Sequence, residues 1–316
     1  MRILFASHRD ALGGFLEILR KEFPQHAFQS SGRFAGFDSL EGFDVLIPRR
    51  SLIDRNALKT ANRLRLIQQC GAGIENIDVQ AARAMNIWVA NVESDISGNA
   101  DSVAEIGVYL MIGLSRDFRN MKLSVSNRRI GTPQGRALRG KTVGIIGLGG
   151  IGCSLVRRLK GFEVDIIGIK RRNQRQAQEE LGLNWVGTPD QIKELLRLSD
   201  YVVLCLPLTA ENTGMIGRQA FDVMKPEAFL INLSRGGLVD RDALQDALAS
   251  GKIAGAGLDV FWKEPPDPHD PIFQYNVLAT PHIGGVTDIS IQGITNVVIE
   301  NIRRLEKGQK PLYLKE

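Results

Sequence analysis

The sequence predicts an α/β protein of two domains, in which a doubly wound parallel sheet is inserted into a smaller, flavodoxin-like α/β domain. Short apolar segments alternate with segments of helical periodicity along most of the chain. After residue 141 the apolar runs become continuous and rich in β-branched residues, which is typical of strands covered on both faces. At 316 residues with 43% hydrophobic content, the chain is long enough to form two packed cores.

In the first domain, short apolar segments and helical segments alternate through residue 90, and a long helix is predicted to follow. Leu12–Phe23 and Asp78–Met85 carry apolar residues at helical spacing. Asn99–Lys122 does so over a longer stretch, which predicts a connecting helix. Between the helical segments, strands are predicted from short apolar runs at Ile3–Ala6, Val45–Ile47, Leu66–Gln68 and Ile87–Val89.

The inserted domain is predicted from six further apolar runs separated by helical segments. A final helical segment, about Asp288–Leu305, is predicted to return to the first domain. The predicted boundaries are therefore 1–95 plus 286–316 for the smaller domain and 96–285 for the inserted domain. The predicted strands are Thr142–Ile146, Val164–Ile169, Tyr201–Leu206, Ala228–Asn232, Ala254–Leu258 and Val277–Ala279, and the helices between them include Gly150–Lys160, Pro189–Leu198 and Arg241–Ser250.

The composition argues against several classes of protein. The net charge of +5 comes from basic residues spread along the chain without a recognised nucleic-acid-binding module, and a small anionic ligand accounts for them as well. No apolar run approaches the roughly 20 residues that span a bilayer, and the N-terminal run is shorter than a signal-peptide core of roughly 7–15 residues. The cysteines Cys70, Cys153 and Cys205 form no CxxC pair. We therefore expect a cytoplasmic protein that binds no metal, nucleic acid or membrane.

A glycine-rich segment follows the first strand of the inserted domain. The sequence KTVGIIGLGGIG at residues 141–152 reads as a strand that runs into a G-x-G-x-x-G turn and then a helix. Gly147 permits the tight turn, Gly149 lets the backbone approach a pyrophosphate, and Gly152 allows the helix to pack closely on the strand. The N-terminus of the helix, with Gly150 and Ile151, attracts the anion. The segment therefore predicts a Rossmann cofactor domain that binds a dinucleotide.

The residues after the second strand of this domain predict which dinucleotide binds. About 20 residues beyond the glycines, an acidic residue is expected to bind a ribose 2′-hydroxyl. This chain has Lys170, Arg171 and Arg172 there. Without a carboxylate, a 2′-phosphate is not repelled, and a guanidinium can pair with it through two hydrogen bonds. The residues therefore favour NADP(H) over NAD(H); the alternative explanation is a solvated basic loop.

Three polar residues follow predicted strands, at the sheet edge where ligands bind in this architecture. Arg235 follows Phe229–Leu233, Glu264 lies a few residues after the run 254–258, and His282 follows Val277–Ala279. Reduction of a 2-keto acid needs a cation for the carboxylate, an acid for the carbonyl oxygen and a group that keeps this acid protonated. Arginine, histidine and glutamate fit these roles in turn. Each residue alone has an ordinary structural explanation, but together they predict catalysis.

Sequence blocks over most of the chain resemble the D-isomer-specific 2-hydroxyacid dehydrogenase family, which includes glyoxylate/hydroxypyruvate reductases and D-3-phosphoglycerate dehydrogenase. The blocks occur in the order found in the family and are specific when they occur together. They are CGAGIENID at 70–78, NADSVAE at 99–105, the glycine-rich turn, LPLT at 206–209, the segments around Arg235 and Asp259, and PHIGG at 281–285.

The resemblance implies roles for individual residues. Arg235 is implied to bind the carboxylate and carbonyl of the substrate, His282 to be the general acid/base, and Glu264 to orient it. It also implies a homodimer built around the 99–122 segment and the arm to about residue 138. The backbone N–H groups implied to receive the substrate carboxylate are those of Ala72, Gly73 and Ile74. Further implied cofactor contacts are Leu206, Pro207, Thr213, Gly284 and Asp259, the last near the nicotinamide amide.

Two departures from the family pattern bear on specificity. Lys170 replaces the usual Asp, which puts NAD in doubt, and we expect no C-terminal regulatory extension, which argues against the larger allosteric phosphoglycerate dehydrogenases. Arg50 and its neighbour Arg49 follow Val45–Ile47 and are predicted to face the substrate, where they would meet a second anionic group. The alternative is that they are exposed loop charges.

The predicted function is hydride transfer between NADP(H), or NAD(H), and a small 2-keto or 2-hydroxy acid of the glyoxylate/hydroxypyruvate type. Two alternatives stay open. One is a nucleotide-sensing binding protein similar to the C-terminal-binding-protein corepressors, which would bind the cofactor without turnover. The other is a formate or phosphite dehydrogenase on the same scaffold, which would oxidise that anion and reduce no 2-keto acid.

Overall fold

The chain forms two compact units in a computed structural model that describes residues 1–315. The first unit contains Met1–Asn99 together with the segment from Val286 onward, and the second contains Ala100–Gly285. The middle of the chain therefore forms a unit of its own, as the predicted fold class requires.

The first unit is built on a sheet of five parallel strands. The strands lie in the order 2-1-3-4-5, which is the strand order of flavodoxin-like sheets. The strands are β1 (Arg2–Phe5), β2 (Ala27–Ser30), β3 (Val45–Ile47), β4 (Leu66–Gln68) and β5 (Trp88–Ala90). The helices are α1 (Ala11–Glu22), α2 (Arg55–Leu58), α3 (Val79–Ala84) and a C-terminal helix, Asp288–Glu306.

The second unit is built on seven parallel strands in the order 12-11-10-9-6-7-8, which is the doubly wound Rossmann order with one added strand. The strands are β6 (Thr142–Ile146), β7 (Asp165–Ile169), β8 (Trp185–Gly187), β9 (Tyr201–Leu204), β10 (Phe229–Asn232), β11 (Gly255–Leu258) and β12 (Val277–Ala279). The helices are α4 (Asn99–Ser115), α5 (Phe118–Ser126), α6 (Gly150–Leu159), α7 (Gln174–Leu181), α8 (Ile192–Leu198), α9 (Arg218–Val223) and α10 (Arg241–Ala249).

Both faces of the larger sheet are buried. Along β9, Val202 and Leu204 belong to one apolar core, whereas Tyr201 and Val203 belong to the other. Successive residues of a strand point to opposite faces, so a strand covered on both sides must be apolar at every position. This explains the continuous apolar runs in the sequence and confirms the predicted fold class.

The helices and strands of the structure differ from the predicted ones in two respects. The predicted helix Asn99–Lys122 is two helices, because Asp117 adopts a left-handed conformation (φ 53°) and its side chain caps the second helix by accepting from the Asn120 N–H. Strands β2 and β8 were not predicted. Each lies at an edge of its sheet, and β2 has no fully buried residue, so its sequence lacks a strong apolar pattern.

Candidate active site

The glycine-rich turn has the geometry of a dinucleotide cradle. At Gly147 (φ 102°) an added Cβ would lie 2.8 Å from the carbonyl carbon of Cys205, and at Gly152 it would lie 2.1 Å from the Gly147 oxygen. Side chains are therefore excluded at both positions. At Gly149 an added Cβ would meet no atom within 4 Å, so the turn is open on this side. Helix α6 begins immediately afterwards without a side-chain cap, which suits an anion at its N-terminus.

The basic residues after β7 take the position where the carboxylate was expected. Lys170 Nζ donates to the Leu148 carbonyl at 3.2 Å, which ties the end of β7 to the glycine-rich turn. Arg171 and Arg172 are exposed, and neither forms an ion pair within residues 1–315. Three cationic residues therefore follow β7, and the first of them contacts the glycine-rich turn.

The segment after β9 borders the same turn. Leu206 lies beside Gly147, since an added Cβ there would be 2.9 Å from the Leu206 Cβ. Pro207 and Thr213 are exposed. Their loop is held by Asn212, whose Nδ2 donates to the Pro207 carbonyl at 2.9 Å. These predicted cofactor contacts thus lie on a loop that adjoins the glycine-rich turn.

His282 and Glu264 form a direct pair. The Nδ1 atom of His282 lies 2.8 Å from Oε1 and 2.9 Å from Oε2 of Glu264. The same Oε1 accepts from the Phe261 N–H at 3.2 Å, which fixes the carboxylate. The His282 side chain is 31% exposed, and its Nε2 has no hydrogen-bond partner in the described chain. One nitrogen is therefore held by a carboxylate while the other is available for proton transfer.

Asp259 holds the loop that carries His282. It is 2% exposed, and its Oδ1 accepts from the Thr280 hydroxyl at 2.7 Å and from the Ile283 N–H at 2.9 Å. Its Oδ2 accepts from the Gly284 N–H at 3.0 Å. The bonds therefore lie on both sides of His282, whose backbone is left-handed (φ 55°), a conformation that costs energy in a residue with a side chain. The predicted contact of Asp259 with the nicotinamide amide stays a prediction.

Arg235 lies at the end of the neighbouring strand. Strands β10, β11 and β12 are adjacent and parallel, so the residues that follow them emerge at one edge of the sheet. The carbonyl of Arg235 accepts from Asn232 Nδ2 at 2.8 Å, which fixes its backbone. At the next residue, Gly236, an added Cβ would lie 2.2 Å from the carbonyl carbon of Phe261. The backbone that carries Arg235 is therefore in close contact with the segment that precedes Glu264.

In the first unit, the segment after β4 presents free backbone donors. We call Gly71, Ala72, Gly73 and Ile74 the Gly71–Ile74 loop. None of their four N–H groups donates to an acceptor within residues 1–315, and each residue is at least partly exposed. Successive free N–H groups form a common anion-binding arrangement.

The two arginines after β3 differ in environment. Arg49 is largely buried, its Nε has no hydrogen-bond partner, and burial lowers the pKa of its guanidinium from the ordinary value. Arg50 lies over the Phe34 ring, with its guanidinium carbon 5.1 Å from the ring centroid. The sequence analysis named Arg50 as the substrate contact; in the structure it is Arg49 whose Nε is buried without a hydrogen-bond partner within residues 1–315.

Two of the cysteines, Cys70 and Cys205, are unsuited to nucleophilic chemistry. Burial raises the pKa of the Cys70 thiol to about 12 and also raises that of Cys205, so both are protonated at neutral pH. Among residues 1–315 no group of three or more His, Cys, Asp or Glu side chains could hold a metal ion. In the same range no helix is long and apolar enough to cross a membrane.

Residues 108–284 match the protein family described as "D-isomer specific 2-hydroxyacid dehydrogenase, NAD binding domain". The chain belongs to this family. This confirms the resemblance seen in the sequence blocks, and the solved structure of D-lactate dehydrogenase from Escherichia coli agrees with it: the TM-score is 0.83 at 26% identity, and the match covers all of both chains.

Curated relatives give the same family. Glyoxylate reductase of Thermococcus litoralis is 36% identical over 268 residues, which cover 82% of this chain and 79% of the relative. D-3-phosphoglycerate dehydrogenase of Methanocaldococcus jannaschii is 35% identical over 275 residues, which cover 86% of this chain but 51% of the relative. The chain thus spans about half the length of the phosphoglycerate dehydrogenase and about four fifths of the glyoxylate reductase.

Proposed function

We propose that this family member reduces a small 2-keto acid to the D-2-hydroxy acid, with a nicotinamide dinucleotide as hydride donor. The observation that carries the proposal is the His282–Glu264 pair, in which Nδ1 is held at 2.8 and 2.9 Å while Nε2 has no partner in residues 1–315. It lies at the carboxyl edge of a sheet whose glycine-rich turn fits a dinucleotide.

In the proposed reduction, His282, Glu264 and Arg235 each have a separate role. The reduced nicotinamide, when bound, supplies a hydride to the carbonyl carbon. His282 donates the Nε2 proton to the carbonyl oxygen, and Glu264 stabilises the imidazolium and fixes the orientation of the ring. Arg235 pairs with the carboxylate and polarises the carbonyl. In the oxidative direction His282 accepts the proton.

The substrate carboxylate is proposed to bind the free N–H groups of Ala72, Gly73 and Ile74. Their lack of protein acceptors supports this role, because backbone N–H groups that are not satisfied internally favour an anion. A second anionic group on the substrate is proposed to meet Arg49 or Arg50. The largely buried Arg49 guanidinium, whose Nε has no hydrogen-bond partner within residues 1–315, supports this second contact.

NADP(H) is the proposed cofactor in preference to NAD(H). Support comes from Lys170, Arg171 and Arg172, which stand at the end of β7 in place of a carboxylate. Michaelis constants for NADPH and NADH test the assignment directly, and Arg171→Ala should weaken NADPH selectively. Arg175→Ala is the matched control, because Arg175 is also an exposed arginine, lies in the next helix and pairs with Glu179 at 2.9 Å. A clear preference of the unmodified protein for NADH would contradict the proposal.

We further propose that the protein is a cytoplasmic homodimer. Helix α5 and the residues after it carry large apolar side chains that are unusually exposed, namely Leu123 (56%), Val125 (79%) and Ile130 (99%). Contiguous exposed apolar residues are typical of interaction surfaces. Sedimentation should give twice the 34.8 kDa chain mass, and Val125→Asp combined with Ile130→Asp should give the monomer.

A substrate panel tests the activity. Glyoxylate, hydroxypyruvate, oxaloacetate and a phosphorylated 2-keto acid are offered with NADPH or NADH, and formate and phosphite with the oxidised cofactors, while the absorbance of reduced nicotinamide is followed. Reduction of at least one 2-keto acid is the expected result. Oxidation of formate or phosphite alone, or tight cofactor binding without any turnover, would replace the proposal with one of the two alternatives.

A further inference from the structure

We infer that Asn91 is a positioning residue that aims the donors of the Gly71–Ile74 loop at the substrate carboxylate. The inference rests on the proposed function, in which this loop binds the carboxylate of a 2-keto acid. It assigns a role to a residue that contacts no ligand itself.

The geometry of the contact is specific. Strand β5 ends at Ala90, and the next two residues reach the loop. The Asn91 Nδ2 donates to the Ala72 carbonyl at 2.8 Å, and the Val92 N–H donates to the Gly71 carbonyl at 3.3 Å. Two consecutive carbonyls of the loop are therefore held from the side of β5.

Fixing these carbonyls also fixes the direction of the N–H groups. In a trans peptide the carbonyl and the following N–H lie in one plane and point in opposite directions. The bond from Asn91 to the Ala72 oxygen thus aims the Gly73 N–H away from Asn91, and the bond from Val92 to the Gly71 oxygen does the same for the Ala72 N–H. Both N–H groups have no acceptor in residues 1–315. They form a pair of adjacent, outward-pointing donors.

The stability of the fold does not explain why residue 91 is an asparagine. It is 2% exposed, and its Oδ1 is buried without a hydrogen-bond partner. A buried polar atom without a partner destabilises the fold, and an apolar side chain of similar size would avoid this. The contribution that only the amide makes is the bond to Ala72. The backbone of Asn91 is held separately, because its N–H donates to the Tyr313 carbonyl at 3.3 Å.

The test is Asn91→Leu, which keeps the side-chain volume and removes the donor. We expect the KM for the preferred 2-keto acid to rise about tenfold while kcat changes by less than about twofold, because binding common to the ground state and the transition state is lost. The dissociation constant of oxamate, a carboxylate with the shape of pyruvate that cannot be reduced in this way, should rise by a similar factor. The dissociation constant of the nicotinamide cofactor should not change.

Asn301→Leu is the matched control. Asn301 is also fully buried in the first unit, and its Nδ2 donates to Gln68 Oε1 at 2.7 Å and to the Leu312 carbonyl at 3.2 Å. Its loss should lower the melting temperature and leave the KM and oxamate affinity unchanged. If Asn91→Leu does not fold, Asn91→Ala removes the donor without adding a charge, and the same outcomes apply.

The outcomes separate the inference from the proposed function. An unmodified protein that reduces no 2-keto acid would overturn both. An active unmodified protein whose Asn91 variants keep the same KM and oxamate affinity would overturn the role of Asn91 alone. A rise of the KM in the Asn301 control as large as that in Asn91→Leu would show a general effect of destabilisation and would also overturn it.

Discussion

The loop of residues 280–284 that carries His282, here called the His282 loop, and the Gly71–Ile74 loop differ in whether their backbone N–H groups have acceptors. Around His282, the N–H groups of Ile283 and Gly284 donate to the carboxylate of Asp259. In the Gly71–Ile74 loop, by contrast, the N–H groups have no acceptor within the described residues. Under the proposed function, the first loop fixes the position of the His282 side chain, whereas the second keeps its N–H groups available for the substrate carboxylate. The difference suggests that satisfied backbone donors hold a side chain in place and that free ones are available to a ligand.

The largest expected effect comes from His282→Gln. The amide retains a polar side chain of similar reach but cannot exchange a proton at neutral pH, so kcat should fall by about 10²–10⁴-fold, the usual contribution of general acid–base catalysis. The affinity for the cofactor, measured by quenching of protein fluorescence, should stay the same. Turnover at the unmodified rate would remove the acid/base role.

Asp259→Asn should have the next largest effect. The amide replaces one acceptor oxygen by a donor that faces N–H groups, so the variant should lose about 1–3 kcal/mol of stability. We also expect kcat to fall about tenfold, since His282 is no longer held. The control is Asp240→Asn, because Asp240 accepts from the Ala243 N–H at 2.9 Å as the cap of α10. A variant at Asp259 that melts earlier but keeps its kcat would limit Asp259 to a structural role.

Small anions should compete for the Gly71–Ile74 loop but not for the His282 loop. In steady-state kinetics, acetate is expected to raise the KM for the 2-keto acid a few-fold and to leave kcat unchanged, because carboxylates bind free backbone donors. Acetamide, which has the same shape without the charge, is the control. Equal inhibition by the two compounds would argue against an anion site.

The smallest effects are expected from glycine-to-alanine substitutions, made separately in each of the two loops. At Gly284 an added Cβ would lie 2.7 Å from Asp259 Oδ2, whereas at Gly71 it would meet no atom within 4 Å. Gly284→Ala should therefore lower both the melting temperature and kcat by modest amounts, since the anchor of the His282 loop must shift. Gly71→Ala should change neither, and a larger effect at Gly71 would reverse the contrast between the loops.

Features that depend on local sequence were predictable. The glycine-rich turn needs small residues at fixed spacing, and the sheet covered on both faces needs continuous apolar runs, so both are visible in the chain itself. The pairing of Glu264 with His282 followed from complementary chemistry and from the family blocks. In the structure the two side chains do pair, with His282 Nδ1 2.8 and 2.9 Å from the two carboxylate oxygens of Glu264.

Features that depend on distant contacts were not predictable. Asn91 reaches a carbonyl 19 residues away, and Asp259 binds N–H groups 24 and 25 residues further along the chain. The family blocks pointed to Asp259 as a cofactor contact, but no local pattern indicates these hydrogen bonds of Asp259 or of Asn91. The break of the connecting helix at Asp117 rests on a left-handed backbone, as does the conformation of Arg49 (φ 55°), and apolar periodicity carries no signal for either.

The tie between Lys170 and the Leu148 carbonyl has a consequence for protein engineering. If NADP(H) is the cofactor, as proposed, an acidic residue in place of Lys170 is the expected design for NADH use, but it would also remove the hydrogen bond from Lys170 to the Leu148 carbonyl of the glycine-rich turn. Such a design should therefore supply a replacement donor to Leu148, or the variant will lose affinity for both dinucleotides at once.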